Sequence, residues 1–256
     1  MTQVLFDGVC TVLDGVEVHR GLSFGVQTGQ VVCLLGPSGC GKTTALRLIA
    51  GLISGQAGIV RVAGEETSTA WHRLAMVFQS PRLTYWRTAL ENVLLGIELR
   101  DPTISKKERL SRATAWLSAV GLQESRNKFP RALSGGEQHR LSLARALAVD
   151  PEILLMDEAF SDQDLVSRQR LWQLTLELCQ QKKRTIVLVT HDVEEALYLA
   201  DTIHVLTEKP ATVHTTLDIT LPHPRHLESS DSKLDALRSM LHTALKGSHG
   251  NSSEGT

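Results

Sequence analysis

The sequence has few cysteines and no concentration of charge of one sign. Its four cysteines form no CxxC pair, so neither a zinc site nor a disulfide framework is predicted. The formal net charge is −1 and no basic block occurs. Because the phosphate backbone of nucleic acids is bound by basic stripes, we expect no nucleic-acid partner. Internal repeats are missing too, so each feature occurs once.

Membrane-directing patterns are also missing. No apolar run approaches the roughly 20 residues that span a bilayer. The N-terminus lacks the basic and then apolar pattern of a signal peptide. We therefore expect a cytosolic chain with reduced thiols that acts at a membrane only through a partner that spans it.

The sequence does have enough apolar residues, 42% of 256, to build one large domain or one domain with an insertion. Apolar runs without polar alternation predict the central strands of a parallel sheet at residues 31–35, 152–156 and 185–190, and residues 202–206 are a fourth candidate strand. Helical patterns at 42–50 and 164–179 alternate with these runs, which indicates an α/β core. Shorter β-prone pieces at 4–32 and 58–64 predict a small antiparallel sheet beside it.

Two segments depart from this alternation. Residues 87–100 and 106–120 each place apolar side chains on one helical face, with Gly121 as a C-cap, which predicts a helical insertion over residues 82–145. Near the C-terminus, residues 232–245 predict a short helix, and residues 247–256 predict a disordered tail because they have almost nothing to bury.

A phosphate-binding loop is the strongest pattern in the sequence. Residues 36–43 fit G-x-x-x-x-G-K-[ST] between an apolar run and a helical one. Backbone N–H groups of such a loop surround phosphate oxygens, Lys42 reaches the β- and γ-phosphates, and Thr43 places a hydroxyl on Mg²⁺. An ordinary glycine turn is the alternative. The candidate nucleotide-binding residues, which we call the phosphate loop, are Gly36, Pro37, Ser38, Gly39, Cys40, Gly41, Lys42, Thr43 and Thr44.

Two acidic residues follow the apolar run at 152–156. An acid at the carboxyl edge of a parallel sheet faces the ligand crevice, so Asp157 is a candidate Mg²⁺ ligand and Glu158 a candidate to polarise an attacking water. Taken alone, such a pair would more often be exposed acids that open a turn, and it is the neighbouring phosphate loop that favours a role at the ligand.

A second glycine element, LSGGEQHR at residues 133–140, looks like another phosphate-binding element in a chain that already has one. Ser134 stands where an N-cap belongs, ahead of a helical pattern at 135–149. A helix N-terminus with a serine and bare glycines can approach a γ-phosphate closely, although Ser-Gly-Gly could also be a mere helix cap.

Taken together, the motifs resemble the ATPase subunit of ABC transporters. Besides the phosphate loop, VFQSP around Gln79, LSGGEQHR, LLMDEAF and VTHD around His191 occur in the order of that family. The resemblance covers residues 1–215. It implies an α/β P-loop NTPase with a RecA-like parallel sheet core (1–81 and 146–215), the insertion, and a C-terminal extension at 216–246.

The resemblance also implies roles for individual residues. Glu158, His191 and Gln79 form the catalytic set, although a lone His before Asp is more often a capping or surface residue. Mg²⁺ is held by Thr43, Gln79 and Asp157. ATP is shared between two copies in a homodimer, since each copy lends its second glycine element to the ATP of the other, through Ser134, Gly135, Gly136 and Glu137.

Within the family, the run PRLTYWRTALENV and the later LDITLPHPR are similar to the ATPases of nitrate, sulfonate and taurine importers. This implies an integral membrane permease, an indirect extracytoplasmic solute-binding protein, and a peripheral position on the cytoplasmic face of the inner membrane. Tyr85 and Trp86 are candidate permease contacts, with packing of Trp86 inside the insertion an equal alternative. Cargo stays open, and thiamine-precursor pyrimidines are among the possibilities. A non-transport ABC ATPase acting on ribosomes or DNA, and a regulatory subunit with weak turnover, are the rival functions.

Three departures from the family pattern carry predictions. Residues 161–164 read SDQD where SALD is usual, and the added carboxylate of Asp162 predicts a weakened ATPase. Leu13 stands where an aromatic side chain stacks on adenine, which predicts weaker discrimination among ATP, GTP and CTP. His139 replaces a common glutamine and is expected to change little.

Overall fold

The structure is a computed structural model that describes residues 1–225 and 232–248. Within those residues the strands are β1 (Thr2–Leu13), β2 (Val16–Gln27), β3 (Val31–Leu35), β4 (Ala57–Val62), β5 (Glu65–Glu66), β6 (Leu74–Phe78), β7 (Ile153–Asp157), β8 (Thr185–Thr190), β9 (Thr202–Leu206) and β10 (Val213–Asp218). The α-helices are α1 (Lys42–Ile49), α2 (Ala89–Arg100), α3 (Lys106–Ala119), α4 (Gly135–Ala148), α5 (Leu165–Gln180), α6 (Val193–Leu199) and α7 (Ser232–Ser248).

The chain divides into two compact units, Met1–Trp71 with Lys183–Thr256, and His72–Lys182. The first unit holds an antiparallel sheet in the order β2-β1-β4-β5, which is the small antiparallel sheet that the sequence predicts. It also holds β3 between β8 and β9, parallel to both, with β10 antiparallel to β9. All five residues of β3 are buried, as the unbroken apolar run predicts.

The second unit combines two strands with most of the helices. Strands β6 and β7 pair in parallel, with Phe78 opposite Asp157 at their carboxyl ends. Helices α2, α3 and α4 pack against one another, and α4 also packs against β6. Fully buried apolar side chains fill this unit, among them Val93, Leu117 and Leu147. The mixture of parallel strands, an antiparallel sheet and helices confirms the predicted α/β class.

Several element boundaries differ from the expected ones by one to three residues. Strand β7 begins one residue later than expected, and α3 ends at a C-cap formed by Val120 rather than Gly121. Gly121 follows that cap with φ +70°, the left-handed conformation that glycine adopts without strain. Helix α7 includes Gly247 and Ser248, the first part of the predicted disordered tail, and residues 249–256 lie outside the described residues.

Among the described residues, no helix is both long enough and apolar enough to cross a bilayer.

Candidate active site

The phosphate loop leaves the carboxyl end of β3 and runs directly into α1. At two positions of this loop, neighbouring atoms leave too little room for a side chain larger than that of glycine. A Cβ on Gly36 would lie 3.2 Å from the sulfur of Cys40 and from the carbonyl oxygen of Leu206. Gly41 has φ +118°, and a Cβ there would lie 2.7 Å from Val18 and 2.8 Å from the ring of His19. The loop is therefore a tight turn that larger residues at these two positions would push open.

The lysine of the loop is buried inside this turn. Lys42 is 4% exposed, and its Nζ donates to the carbonyl oxygens of Gly36 at 2.8 Å and Pro37 at 2.9 Å. Its backbone begins α1, whose first-turn amides add a positive partial charge at the same point. An ammonium group and a helix N-terminus are thus concentrated at the end of β3. Burial raises the pKa of the neighbouring Cys40 thiol, so that side chain is a neutral filler.

His191 lies at the same edge of the first unit. It follows β8, and Thr190 at the end of β8 stands opposite Leu35 at the end of β3. The helix that follows is capped by the next residue, Asp192, whose carboxylate accepts from the amides of Glu194 and Glu195 at 2.8 and 3.2 Å. Asp192 is therefore the cap of α6, and the side chain of His191 is exposed beside it.

In the second unit, two of the predicted catalytic residues leave neighbouring strands. Gln79 follows Phe78, the last residue of β6, and Glu158 follows Asp157, the last residue of β7. Because Phe78 and Asp157 are opposite each other in a parallel pair, Gln79, Asp157 and Glu158 share one sheet edge. Glu158 has φ +45°, a left-handed conformation that costs free energy for a residue with a Cβ. The sequence analysis placed Asp157 and Glu158 at a strand end but predicted no strand ahead of Gln79, and the register of β6 and β7 brings the three residues to one edge.

The second glycine element forms the start of α4, with Ser134 as the N-cap. The hydroxyl of Ser134 accepts from the amide of Glu137 at 3.3 Å, and the carboxylate of Glu137 accepts from the amide of Ser134 at 2.8 Å. This reciprocal capping box lowers the pKa of Glu137, chiefly through the Ser134 N–H. Gln138 ties the preceding turn by donating to the carbonyls of Pro130 and Leu133. Ser134 and Gly135 remain exposed at the helix end.

Residues 19–161 match the family described as ABC transporter. The chain belongs to the ABC transporter family. It is 36% identical over 214 residues to the aliphatic sulfonates import ATP-binding protein SsuB of Bacillus cereus, covering 84% of this chain and 83% of that one. It is 39% identical over 207 residues to the nitrate import ATP-binding protein NrtD of Synechocystis sp., covering 81% and 77%.

A solved ABC structure confirms the fold. The ATP-binding cassette MJ0796, determined as a dimer in a post-hydrolysis state with ADP and Pi, is 28% identical with a TM-score of 0.76. The match covers 86% of this chain and all of that one. The chain is accordingly an ATP-binding cassette of the ABC family, an ATPase coupled to transport.

The unusual loop at 161–164 of this ABC cassette contacts both Gln79 and the start of α4. Gln79 Nε2 donates to Asp162 Oδ1 at 3.3 Å. The side chain of Gln163 lies beside the glycines of the α4 start, since a Cβ on Gly136 would be 3.5 Å from Gln163 Oε1. Asp164 caps α5 by accepting from the amide of Ser167. Sequence reasoning missed the Asp162 contact, and the only signal for it was the unexpected charge in the loop.

His139 also has more contacts than the sequence indicated. It is 4% exposed within α4, and burial lowers the pKa of its ring, with a hydrogen bond to the backbone of Ala159 acting in the opposite direction. Ala159 directly follows Glu158. The buried imidazole therefore lies near the backbone of the segment that carries the candidate catalytic glutamate.

Leu13 lies at the end of the β1–β2 hairpin, opposite Val16. Asp14 and Gly15 make the turn with φ of +50° and +78°. The side chain of Leu13 is half-buried. An aliphatic side chain at this position has no aromatic face on which a base could stack.

The residues present fit Mg²⁺ better than a metal that needs a protein cage. Within residues 1–225 and 232–248, no group of three or more His, Cys, Asp or Glu side chains could hold a metal ion. Mg²⁺ commonly uses one or two protein oxygen ligands and completes its shell with nucleotide phosphates and water. The hydroxyl of Thr43, the amide oxygen of Gln79 and the carboxylate of Asp157 are donors of that type.

Proposed function

We propose that the chain is the ATP-hydrolysing subunit of an ABC importer, powering the uptake of a small solute of the nitrate, sulfonate or taurine type through a separate membrane permease. The observation that carries the proposal is the phosphate loop, with Lys42 held inside the turn and α1 starting at the same residue. The names of the relatives, import ATP-binding proteins for sulfonates and nitrate, support import rather than export.

In the proposed reaction the first unit binds the triphosphate. The amides of residues 36–44 donate to phosphate oxygens, and Lys42 exchanges its carbonyl acceptors for the β- and γ-phosphates. His191 contacts the γ-phosphate and orients the water that attacks it. Leu13 contacts the base.

The proposed catalytic residues of the second unit act on the water. Glu158 polarises it for attack on the γ-phosphorus, and Gln79 orients it. Thr43, Gln79 and Asp157 are the proposed ligands of Mg²⁺, which when bound neutralises charge that develops on the phosphate oxygens. The left-handed backbone at Glu158 fixes the direction in which this carboxylate leaves β7.

The exposed start of α4 is proposed to act on the ATP of a second copy. Its capping box satisfies the amide of Glu137, while an α-helix leaves the other first-turn amides without helical acceptors. Ser134, Gly135 and Gly136 therefore present a positive helix end with little steric bulk. We propose a homodimer on this basis, and the dimeric structure of MJ0796 supports it. The second glycine element is thus explained by a neighbouring copy.

The proposed contact with the permease follows Gln79. Tyr85 is 45% exposed and Trp86 is 79% exposed, so packing of Trp86 inside the helical insertion is wrong. The turn that presents them is held by buried Asn92, which bonds the backbone of Thr84 in both directions. A large aromatic side chain kept exposed on a fixed turn is typical of a protein interface.

The proposal includes the location and architecture that importer function requires. The cassette spans residues 1–215, with a core of 1–81 and 146–215, an insertion of 82–145 and an extension of 216–246. It acts as a peripheral protein on the cytoplasmic face of the inner membrane. An extracytoplasmic solute-binding protein delivers the solute to the permease and meets this chain only through it.

The test is affinity purification of the tagged chain from native membranes, with Trp86→Ala as the matched control. We expect an integral membrane protein to co-purify with the unaltered chain and to be reduced with the control, and the purified complex to hydrolyse ATP. Recovery of ribosomes or soluble partners alone would contradict import.

A regulatory ABC subunit with weak turnover is the second candidate function. The hydrogen bond from Gln79 to Asp162 favours it, because a residue proposed to orient the water is held by another partner. The ATPase rate of the purified complex distinguishes the two, since a regulatory subunit would show turnover little above that of Glu158→Gln.

A further inference from the structure

A buried histidine outside the recognised motifs contacts the phosphate loop directly. His19 is 0% exposed, and its Nε2 lies 3.1 Å from the carbonyl oxygen of Gly41. Its other ring nitrogen, Nδ1, lies 3.2 Å from the hydroxyl of Thr11. Both ring nitrogens thus have partners in the interior of the first unit. A buried polar side chain whose hydrogen bonds are satisfied can hold its bonding partners in one orientation.

The partners determine the tautomer of the ring. Burial lowers the pKa of His19, so the imidazole is neutral near pH 7 and carries a single N–H. A carbonyl oxygen can only accept, so Nε2 must donate to Gly41. The Thr11 hydroxyl then donates to Nδ1, because a hydroxyl can play either part.

The backbone that carries the ring is held on both sides. His19 pairs with Thr11 across the β1–β2 ladder, and on its other side it forms a parallel bridge with Ala211. The amide of Ala211 donates to Val18 at 2.8 Å, and the amide of Arg20 donates to Ala211 at 3.3 Å. The backbone of His19 is therefore held in place, which restricts the orientation in which its ring reaches the phosphate loop.

The contacted carbonyl controls a phosphate-binding amide. Gly41 and Lys42 share a peptide plane in which the C=O and the N–H point in opposite directions. The carbonyl of Gly41 accepts from His19 and also from the amide of Ala45 at 2.9 Å. Fixing this carbonyl therefore fixes the direction of the Lys42 N–H. Gly41, with φ +118°, is a residue type that would otherwise rotate with little resistance.

We propose that His19 is a positioning residue of the nucleotide site, which orients the Gly41–Lys42 peptide for phosphate binding through an Nε2–H donor. The same residue, through Thr11, joins the phosphate loop to the strand that ends at Leu13, the proposed contact to the base. This inference rests on the proposed nucleotide-binding function.

The test compares three substitutions at His19 by calorimetric titration of the full chain with Mg-ADP. His19→Leu removes the donor and should weaken ADP binding about 10-fold, the effect of losing one hydrogen bond worth about 1.4 kcal/mol. His19→Gln carries an amide N–H near the place of Nε2 and should bind within about 3-fold of the unaltered chain. His19→Asn is polar but too short to reach Gly41, and should bind as weakly as His19→Leu.

The matched control is His204→Leu. His204 is a second buried histidine of the first unit, 6% exposed, whose Nδ1 bonds Thr216 and not the phosphate loop. Its loss should change the melting temperature and leave ADP affinity unaltered. In ATPase assays, His19→Leu should raise KM for ATP by more than it lowers kcat, because a ground-state contact to phosphate is weakened.

Equal ADP affinity for His19→Leu and the unaltered chain would overturn the proposal, whatever the change in melting temperature. Should His19→Leu fail to fold, equal affinities of His19→Gln and His19→Asn would overturn it as well. Failure of the unaltered chain to bind Mg-ADP would contradict the nucleotide-binding function itself, and so differs from failure of the His19 inference.

Discussion

Substitution of Asp162 by alanine should accelerate ATP hydrolysis. Gln79 donates to Asp162 at 3.3 Å, and the two residues are 83 positions apart in the sequence. In the proposed mechanism Gln79 must turn to the attacking water, and that turn breaks its contact with Asp162. Repulsion between the carboxylates of Asp162 and Glu158 would also slow turnover, and the structure adds this competing hydrogen bond.

The size of the effect follows from the geometry of the contact. A hydrogen bond in a folded protein contributes about 0.5–1.5 kcal/mol, and this one is long and solvent-exposed, so about 0.5–1 kcal/mol is appropriate. Since about 1.4 kcal/mol corresponds to a factor of ten in rate, loss of the contact should raise kcat about 2- to 5-fold.

The assay is steady-state release of phosphate from saturating ATP by the purified transporter. Asp162→Asn keeps an acceptor oxygen without the charge and separates hydrogen bonding from repulsion. A rate for Asp162→Asn near that of the unaltered chain assigns the effect to the hydrogen bond, and a rate near that of Asp162→Ala assigns it to charge. No gain in rate for Asp162→Ala, or for Asp162→Ala with Gln163→Leu, would refute the reasoning.

Three further predictions concern stability and nucleotide choice. Ser134→Ala removes the capping box of α4 and should lower the free energy of unfolding by about 1 kcal/mol in urea titrations; an unchanged midpoint would contradict the contribution of the cap. Leu13→Tyr should lower KM for ATP relative to GTP and CTP, and similar ratios in both proteins would count against the base contact. His204 has its pKa lowered by burial from 6.5 to about 4, so only the unfolded chain binds a proton there between these pH values. Unfolding free energy should therefore fall by about 3 kcal/mol as the pH drops from 6.5 to 4, and urea titrations of His204→Leu that keep the same pH slope would show that another group is responsible.

Local patterns predicted the parts of the structure that depend on neighbours in sequence. The apolar runs of β3 and β8 gave their bounds to the residue, because strands covered on both faces leave few polar positions to interrupt the run. The capping box at Ser134 was likewise readable, since the serine and the glutamate three residues later form it within one helical turn.

Contacts between distant segments could not be predicted in this way. The bond between Gln79 and Asp162 depends on the pairing of Phe78 with Asp157, which no local pattern specifies. His19 stands in a strand that alternates irregularly, so its burial against Gly41, 22 residues later, left no mark in the sequence. For Trp86 the sequence did not distinguish burial from a surface contact, because a large apolar side chain occurs both in cores and at protein interfaces.

The central claim, that one copy completes the nucleotide site of another, is tested most directly by the mass of Glu158→Gln in solution. This substitution removes the proposed water-polarising carboxylate and leaves the phosphate loop and α4 intact. Light scattering should give the 28.1 kDa chain mass without nucleotide and twice that mass with Mg-ATP, and no increase when Lys42→Ala is added. A monomer at saturating ATP, with nucleotide binding shown in the same sample, would contradict the account.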